Sequence, residues 1–329
     1  MLRLLDSENV RACAPTPAVV RAVEDAFAAA DRGDVVMPSK SYVDLERYDG
    51  DFRAMPAYVD GETWDAAGLK WVNSHPYNPE RFDLPTVMGI MIYTDAKTAR
   101  PLSILDGSEL TRLRTGAAAA VATDHLALSD ARSLGLVGAG AQSYAQLEAI
   151  ATVRAIEEVV VADADPEAAE AFVETTRDRV DVRVGTIAEA AACDVLSTTT
   201  PVDEPIVPHD AVGDQTHVNA MGADAAGKHE LTDALLTDAR IVIDDYDQCV
   251  HSGEINVPYA HDVLTDEDIH AELGAVVTGS TPGRTTETGT TVFDSTGLAI
   301  QDVAAAHVVY EHATEHDIGT PFSLVGTDL

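Results

Sequence analysis

Lysine is nearly missing from this chain of 329 residues. Lysines and arginines together number 21 against 56 aspartates and glutamates, and the formal net charge is −35. So negative a surface repels nucleic acids and anionic membranes, and a salt concentration of about 1 M screens such charges within roughly 3 Å. We therefore expect no nucleic-acid partner and a halophilic cytoplasm, with an ordinary acidic protein as the alternative. The four lysines present are Lys40, Lys70, Lys97 and Lys228.

Cysteines, long apolar runs and metal-ligand patterns are also scarce. The three cysteines, Cys13, Cys193 and Cys249, are far apart and odd in number, which fits neither a disulfide framework nor a zinc site. No apolar run approaches the roughly 18–20 residues of a membrane span, and the opening MLRLLDSENV lacks a signal-peptide layout. The histidines show no ligand spacing, so His251 and Glu254 are expected to be structural. We expect reduced, buried cysteines, no metal, no membrane and a cytoplasmic location.

The pattern of apolar runs predicts two domains in an α/β fold. From residue 116 to 296, runs such as SLGLVG, EEVVVAD and THVNAMG alternate with helix-length stretches, which predicts a Rossmann-type, doubly wound parallel sheet. Residues 1–115 combine the helix PAVVRAVEDAFAAADRG with AAGLKWVN and TVMGIMIYTD, whose composition is that of buried strands. Residues 297–329 open with a helix, TGLAIQDVAAAHVVYEHATEHD, for which Ser295 or Thr296 is the expected N-cap. We expect this helix to complete a discontinuous α+β first domain.

The segment LGLVGAGAQSYAQLEA predicts a dinucleotide site. In the fingerprint G-x-G-x-x-G/A, Gly138 permits the tight turn, Gly140 lets the backbone approach a pyrophosphate, and Ser143 is the small third residue. The helix that begins at Ala141 and Gln142 would offer free amides to the phosphates. No GK[ST] follows, which argues against a P-loop, and a purely structural turn is the remaining alternative.

A second strand, VVVAD, ends at Asp163, 20 residues after Ser143. An acidic side chain there accepts hydrogen bonds from the adenosine ribose and repels a 2′-phosphate. The predicted cofactor is therefore NAD rather than NADP.

Several phrases in order along the chain resemble the ornithine cyclodeaminase/mu-crystallin family, and within it the archaeal alanine dehydrogenases. They are MPAYV (55–59), GLKWVNSHPYNP (68–79), LPTVMG (84–89), LTRLRTGAAAAVATDHLA (110–127), GLVGAGAQ (135–142), MGADAAGKHEL (221–231) and VFDSTGLAIQDVAAA (292–306). The resemblance implies a homodimer in which residues 1–115 and 297–329 bind substrate and dimerise around an NAD-binding domain of residues 116–296. It also implies NAD(P)-dependent chemistry at the α-carbon of an amino or imino acid.

Three residues are the main candidates for that chemistry. Arg114 precedes a helix of small residues, and its guanidinium could grip a substrate carboxylate bidentately, unless it only caps the helix. Lys70 lies late in an apolar strand, where its ammonium could pair with the carboxylate or polarise the reacting C=N or C=O bond, unless it reaches solvent. Asp224 follows the strand THVNAMG, at the sheet edge where ligands bind, and the resemblance implies an acid/base role; otherwise it is one loop aspartate among many.

Further candidates are less specific. Lys40 and Arg53 are extra cations that could help to neutralise a carboxylate, and Met55 and Thr86 are expected in the substrate pocket. Thr199 and Ser295 are expected at the cofactor cleft.

The expected reaction follows from the resemblance and from one position at which this sequence differs from the cyclodeaminases of the family. Cyclodeaminases of the family tend to carry an acid shortly after the MP pair, whereas MPAY places Ala57 and Tyr58 there. This favours a small apolar substrate, and so oxidative deamination of L-alanine to pyruvate and ammonia. The alternatives are ornithine cyclodeamination to proline, reduction of a cyclic imine, and non-catalytic binding of a small molecule.

Overall fold

Two units that alternate along the chain make up the structure. In the computed structural model, which describes residues 1–324, unit 1 contains Met1–Arg114 and the residues from Leu298 onward, and unit 2 contains Thr115–Gly297. The strands are β1 (Leu2–Leu5), β2 (Val35–Val36), β3 (Ser41–Leu45), β4 (Gly50–Asp60), β5 (Asp65–Ser74), β6 (Val87–Thr94), β7 (Pro101–Asp106), β8 (Ser133–Val137), β9 (Glu158–Ala162), β10 (Asp181–Val184), β11 (Val195–Thr198), β12 (His217–Ala220), β13 (Arg240–Ile243), β14 (Ile269–Glu272), β15 (Thr291–Asp294) and β16 (Thr320–Phe322).

The helices include short single turns and three long elements of 17 to 20 residues, which are α2, α4 and α12. The helices are α1 (Ser7–Ala12), α2 (Thr16–Arg32), α3 (Asn78–Phe82), α4 (Gly107–Leu126), α5 (Ala141–Ile150), α6 (Pro166–Thr176), α7 (Ile187–Ala191), α8 (Asp233–Asp238), α9 (Tyr246–Ser252), α10 (Asn256–Ala260), α11 (Leu273–Val277) and α12 (Ala299–Glu315).

Unit 2 contains the predicted doubly wound sheet. Its strand order is β10-β9-β8-β11-β12-β15-β13-β14, and the paired strands are parallel. The order reverses between β8 and β11, and in open α/β sheets ligands bind beyond the carboxyl ends of the strands at such a reversal. The strands β8, β9, β11, β12, β13 and β15 bury their apolar residues in the core, as expected for a sheet that helices cover on both faces. The predicted α/β class with a Rossmann-type sheet is confirmed.

Unit 1 contains a mixed sheet in the order β16-β1-β7-β6-β5-β4-β2, with β3 also paired to β4. Helix α12 packs on β4 and β5 and against α2, all of which belong to unit 1. Helix α2 ends at Arg32, and the following Gly33 has a φ of 78°, the left-handed conformation of a C-cap glycine.

Two expectations from the sequence are wrong. Helix α12 begins at Ala299 after Leu298, and the Ser295 hydroxyl donates to Asp244 Oδ2 at 3.0 Å instead of capping the helix. The strand β6 is buried on one face only, since Met91 is buried while Ile90 is 46% exposed. A run of apolar residues looks the same whether a strand is covered on one face or on two. The three cysteines are buried thiols, as expected.

Candidate functional site

Lys70 is the buried centre of a charged cluster in unit 1. It lies in β5 opposite Met55 of β4 and Met91 of β6, on the sheet face that the helices cover, and is 1% exposed. Its Nζ donates to Asp302 Oδ1 at 2.8 Å and to Thr111 Oγ1 at 3.2 Å. Burial lowers the pKa of Lys70 to about 7, although the neighbouring carboxylate of Asp302 raises it. The side chain of Lys70 can therefore change between its ammonium and neutral amine forms near neutral pH.

Arg114 contacts the same carboxylate. Its Nε donates to Asp302 Oδ1 at 3.1 Å, and its Nη1 donates to Gln301 Oε1 at 3.1 Å. Asp302 is fully buried, and Arg114 and Lys70 are nearly so. When Lys70 is protonated, two cations and one carboxylate leave one unit of positive charge in an enclosed place, where a second carboxylate would be attracted. The cluster suits recognition of an anionic group.

The remaining substrate candidates of unit 1 lie in or near the same sheet. Arg53 precedes Met55 by two residues in β4 and therefore shares its face, and it forms a two-pronged ion pair with Asp51 at 3.0–3.1 Å. Lys40 is close enough to lower the pKa of Lys70 by charge repulsion. Thr86 precedes β6, and its carbonyl accepts from the His75 amide at 2.8 Å.

The glycine-rich turn of unit 2 joins β8 to α5. Gly138 has a φ of 99°, and a Cβ there would lie 2.9 Å from Thr199 Oγ1, so a side chain is excluded. Ser143 is fully buried, and its hydroxyl donates to the Gly138 carbonyl at 2.5 Å and lies 3.1 Å from Thr199 Oγ1. The serine therefore closes the turn from inside, at the position where close packing requires a small residue.

The outer side of this turn fits a dinucleotide. A Cβ added to Gly140 would meet no atom within 4 Å, so a pyrophosphate could approach the backbone there. Gly140 also caps α5 without a side chain, which leaves the first amides of the helix, at Ala141 and Gln142, to a ligand. Gln142 Oε1 is buried and has no hydrogen-bond partner among the described residues.

Asp163 lies directly after β9 beside the same turn. Its Oδ2 accepts from the Ala139 amide at 2.6 Å and its Oδ1 accepts from the Asp165 amide at 2.8 Å. The carboxylate is thereby fixed at the carboxyl end of the strand, where an adenosine ribose would be recognised.

Asp224 lies in the loop that follows β12, on the carboxyl side of the unit 2 sheet. Its Oδ1 accepts from Lys228 Nζ at 3.4 Å, and the side chain is part-exposed. Ser295 follows β15 at the same sheet edge, and its hydroxyl and that of Thr296 both donate to the buried Asp244. Thr199 follows β11. Unit 2 thus places Asp224, Thr199, Ser295 and the glycine-rich turn at one edge of its sheet, as expected for residues after parallel strands.

Sequence reasoning missed Asp302, Gln301 and Thr111. A signal was available, because the pair QD interrupts the otherwise apolar run GLAIQDVAAA, and a carboxylate that a helix buries needs a cationic partner. The partner could not be identified without the fold, since Lys70 and Asp302 are 232 positions apart.

Among the described residues, no group of histidine, cysteine, aspartate and glutamate side chains could hold a metal ion. His251 is exposed, and Glu254 is buried with its Oε1 bound to backbone amides. A search of residues 1–324 also finds no helix long and apolar enough to cross a membrane.

Comparison with known proteins agrees with this arrangement. The model of the ornithine cyclodeaminase/mu-crystallin family matches residues 4–317. An alanine dehydrogenase of Archaeoglobus fulgidus is 45% identical over 318 residues, which cover 96% of this chain and 97% of that protein. The structure of an archaeal alanine dehydrogenase dimer with bound NAD has a TM-score of 0.93 at 44% identity, over 98% of this chain and 99% of that one.

A second solved structure has the same TM-score at a lower sequence identity. It is the Delta(1)-pyrroline-2-carboxylate reductase of Thermococcus litoralis in complex with NADH and L-proline, with a TM-score of 0.93, 32% identity and coverage of 98% of this chain and 100% of that one. The family model spans both units, and the relatives are matched over nearly their full lengths. The chain therefore belongs to the ornithine cyclodeaminase/mu-crystallin family.

Proposed function

We propose that the protein is an NAD-dependent oxidoreductase that converts L-alanine, water and NAD⁺ reversibly to pyruvate, ammonium, NADH and a proton. The observation that carries the proposal is the buried cluster of Lys70, Asp302 and Arg114, whose net positive charge suits the carboxylate of a small amino acid. The similarity to an alanine dehydrogenase over 96% of the chain supports the choice of substrate.

Arg114 and Lys70 bind the α-carboxylate in this proposal, and Arg53 and Lys40 add positive charge to the same face of unit 1. NAD held at the glycine-rich turn would supply the acceptor for the α-hydrogen and its electron pair, so that the substrate would be oxidised to an imine. Asp224 removes a proton from the water that attacks the imine carbon and returns protons to the departing ammonia. Lys70, with a pKa of about 7, polarises the C=O bond that forms.

The glycine-rich turn, Asp163, Thr199 and Ser295 are the proposed cofactor contacts. The free amides at Ala141 and Gln142 bind the pyrophosphate, and the fixed carboxylate of Asp163 favours NAD over NADP. This assignment rests on the open approach at Gly140 and on the similarity to structures with bound NAD or NADH.

The preference for alanine over a diamino acid rests on the strand that contains Met55. Ala57 is the next residue on the same buried face, and it is apolar where a δ-ammonium would need an anion. A small methyl side chain suits that neighbourhood better. Met55 and Thr86 are proposed to line the pocket.

The decisive measurement mixes the protein with NAD and L-alanine in concentrated salt. We expect NADH, pyruvate and ammonium in equal amounts. Proline formed from L-ornithine without net NADH would instead identify a cyclodeaminase, and oxidation of NADH by a cyclic imine would identify a reductase. Binding of these molecules without turnover of any of them would leave a non-catalytic binder.

The role of Asp224 is tested by Asp224→Asn. We expect kcat to fall by about 100-fold or more, since general acid–base groups contribute 10²–10⁴ to a rate. Asp210→Asn, which removes an exposed carboxylate of the same unit, is the control and should leave kcat unchanged. Near-normal turnover by Asp224→Asn would refute the assigned role.

We also propose a homodimer formed through the uncovered face of the unit 1 sheet. The row of paired residues that contains Lys70 is buried. The next row pairs Ala54, Trp71 and Ile90 across three strands, and there Trp71 is 38% and Ile90 46% exposed. Phe52 stacks on Trp71 at a centroid distance of 5.2 Å. A contiguous apolar patch of this kind marks an interface, and the similar archaeal structure is a dimer.

Replacing Ile90 by lysine tests the interface. We expect Ile90→Lys to shift the molar mass in light scattering from two chains to one, because a charge would be buried without a partner. Val263→Lys changes a side chain of similar exposure, 40%, in unit 2 and should leave the dimer intact. A dimer that survives Ile90→Lys would place the interface elsewhere.

The charge of −35 supports a proposal about the environment. We infer that the protein works in a salt-rich cytoplasm, because dense negative charge is tolerated there without strong self-repulsion.

A further inference from the structure

Three buried carboxylates connect the ends of three strands in unit 2. Asp294, the last residue of β15, accepts from the amides of Glu254 and Ile255 at 2.8 and 3.1 Å. Glu254 Oε1 accepts from the amides of Glu230 and Leu231 at 2.8 and 2.6 Å. Asp294 therefore binds the backbone of Glu254, and Glu254 binds the backbone of Glu230; all three side chains are fully buried.

Glu230 ends this series, and it contacts the two loops that follow β11 and β12. Its Oε1 accepts from the amide and the hydroxyl of Thr200 at 2.8 and 2.7 Å. Its Oε2 accepts from the Gly222 amide at 3.0 Å and from the Thr198 hydroxyl at 2.5 Å. Both oxygens thus receive one backbone N–H, each from a different loop.

The two loops are also packed too closely for any side chain at the junction. A Cβ on Gly222 would lie 2.5 Å from both Glu230 Oε2 and the Thr200 carbonyl. Asp224 follows Gly222 by two residues, and Thr199 immediately precedes Thr200. A shift of the Glu230 side chain therefore displaces the backbone of both loops, because so tightly packed an interior has no empty space to absorb the movement.

We propose that Glu230 is a positioning residue that fastens the loop of Asp224 to the loop of Thr199, with Asp294 and Glu254 as its anchor. The proposal rests on the proposed function, since it gives Asp224 its acid/base role. Burial raises the pKa of Glu254 well above its usual value, and the charge of Glu230 contributes to this rise.

The substitution Glu230→Gln tests the proposal because an amide cannot satisfy both loops. Its nitrogen only donates, so either the Thr200 or the Gly222 N–H loses its acceptor. We expect kcat to fall by about 100-fold, the size of loss that a misplacement of about 1 Å can cause. In the Asp224→Asn background the same substitution should change kcat by less than about twofold, because it acts through Asp224.

Hydrogen exchange gives a readout that does not depend on turnover. We expect Glu230→Gln to speed exchange of the amides in both segments, 198–201 and 221–224. Ile241→Ala, which opens a cavity in the core of unit 2 at β13, is the control for lost stability and should leave both segments protected. If Glu230→Gln does not fold, Thr200→Val removes one hydroxyl donor and keeps the amide, and it should give a smaller effect of the same kind.

The outcomes separate the two proposals. An equal loss of kcat from Glu230→Gln in both backgrounds would overturn the positioning role. Faster exchange in only one of the two loops, or in neither, would also overturn it. Both results would leave the proposed function intact. Full activity of Asp224→Asn would overturn the acid/base role and the positioning role together. If L-alanine is not a substrate, the exchange result alone decides whether Glu230 fastens the loops.

Discussion

At the scale of single residues, Asp302 controls the charge of the candidate site in unit 1. Burial, together with the charges of Arg114 and Lys40, lowers the pKa of Lys70 to about 7. The carboxylate of Asp302 acts in the opposite direction and raises this pKa. Below this pH Lys70 is protonated and attracts an anion, and above it the attraction fades. The proton on Lys70 therefore depends on a residue that lies far away in the sequence.

Propionate, which has a carboxylate but no amine, reports this charge directly. We expect its inhibition constant to rise above pH about 7, by up to roughly tenfold for each pH unit. In Asp302→Asn the pKa of Lys70 falls further, so the rise should begin at a lower pH. Thr111→Val removes only a neutral hydrogen bond from Lys70 and should move the transition less. An unchanged transition in Asp302→Asn would mean that another group controls anion binding.

Asp163 is the residue on which the proposed preference for NAD over NADP depends. In Asp163→Ser we expect the ratio of kcat/KM for NAD to that for NADP to fall on the order of 10- to 100-fold, because a like charge no longer opposes the 2′-phosphate. Asp165→Asn alters the N-cap of α6 but leaves the charge at position 163, and it should preserve the ratio. If Asp163→Ser kept the same ratio of kcat/KM for NAD to that for NADP as the unaltered protein, the assignment would be contradicted.

At the scale of elements, the long periodic segments could be predicted and the contacts between distant segments could not. The βα alternation predicted the parallel sheet of unit 2 and the helix α12, since hydrophobic periodicity is a local property. The environment of Lys70 was not accessible in this way, because it needs a carboxylate from α12. Glu230 was equally hidden, since an acid in an acidic chain carries no signal until its four donors are seen.

The contact between α4 and α5 depends on one missing side chain. A Cβ on Gly116 would lie 2.5 Å from the Ala145 carbonyl, so the two helix backbones touch there. The following alanines, Ala117 to Ala120, are fully buried and allow the same close approach. The phrase RTGAAAA therefore sets how closely α4 packs against the helix that is proposed to bind the pyrophosphate.

Gly116→Ala should destabilise the protein even though alanine is the better helix former. Propensity favours the change by roughly 1 kcal/mol, but overpacking costs about 1–3 kcal/mol, and α5 must shift. We expect a lower midpoint of thermal unfolding and a higher Kd for NAD, measured by calorimetry. Gly289→Ala, where the nearest atom to the new Cβ is 3.5 Å away, is the matched control. An unaltered Kd would show that the contact does not position α5.

At the scale of the whole molecule, positive charge is concentrated where it has a partner. Of the four lysines, Lys70 is paired with Asp302, Lys228 contacts Asp224, and Lys40 is close enough to alter the pKa of Lys70. Most of the acidic residues, by contrast, are exposed on the surface of both units. The fourth lysine, Lys97, is exposed, so three of the four lysines lie beside residues of the candidate sites.

The acidic surface predicts a stability that depends on salt. Raising KCl from about 0.1 M to about 3 M shortens the screening length from roughly 10 Å to less than 3 Å, so we expect a higher midpoint of thermal unfolding and recovered activity. Sucrose, which stabilises proteins without screening charge, should not substitute for KCl in full. Neutralising two exposed acids in Glu170→Gln/Asp178→Asn should lower the KCl concentration required, because less repulsion remains to be screened. Full stability and activity in dilute buffer would refute the proposed halophilic environment, since self-repulsion from 35 net charges would then be offset by packing alone.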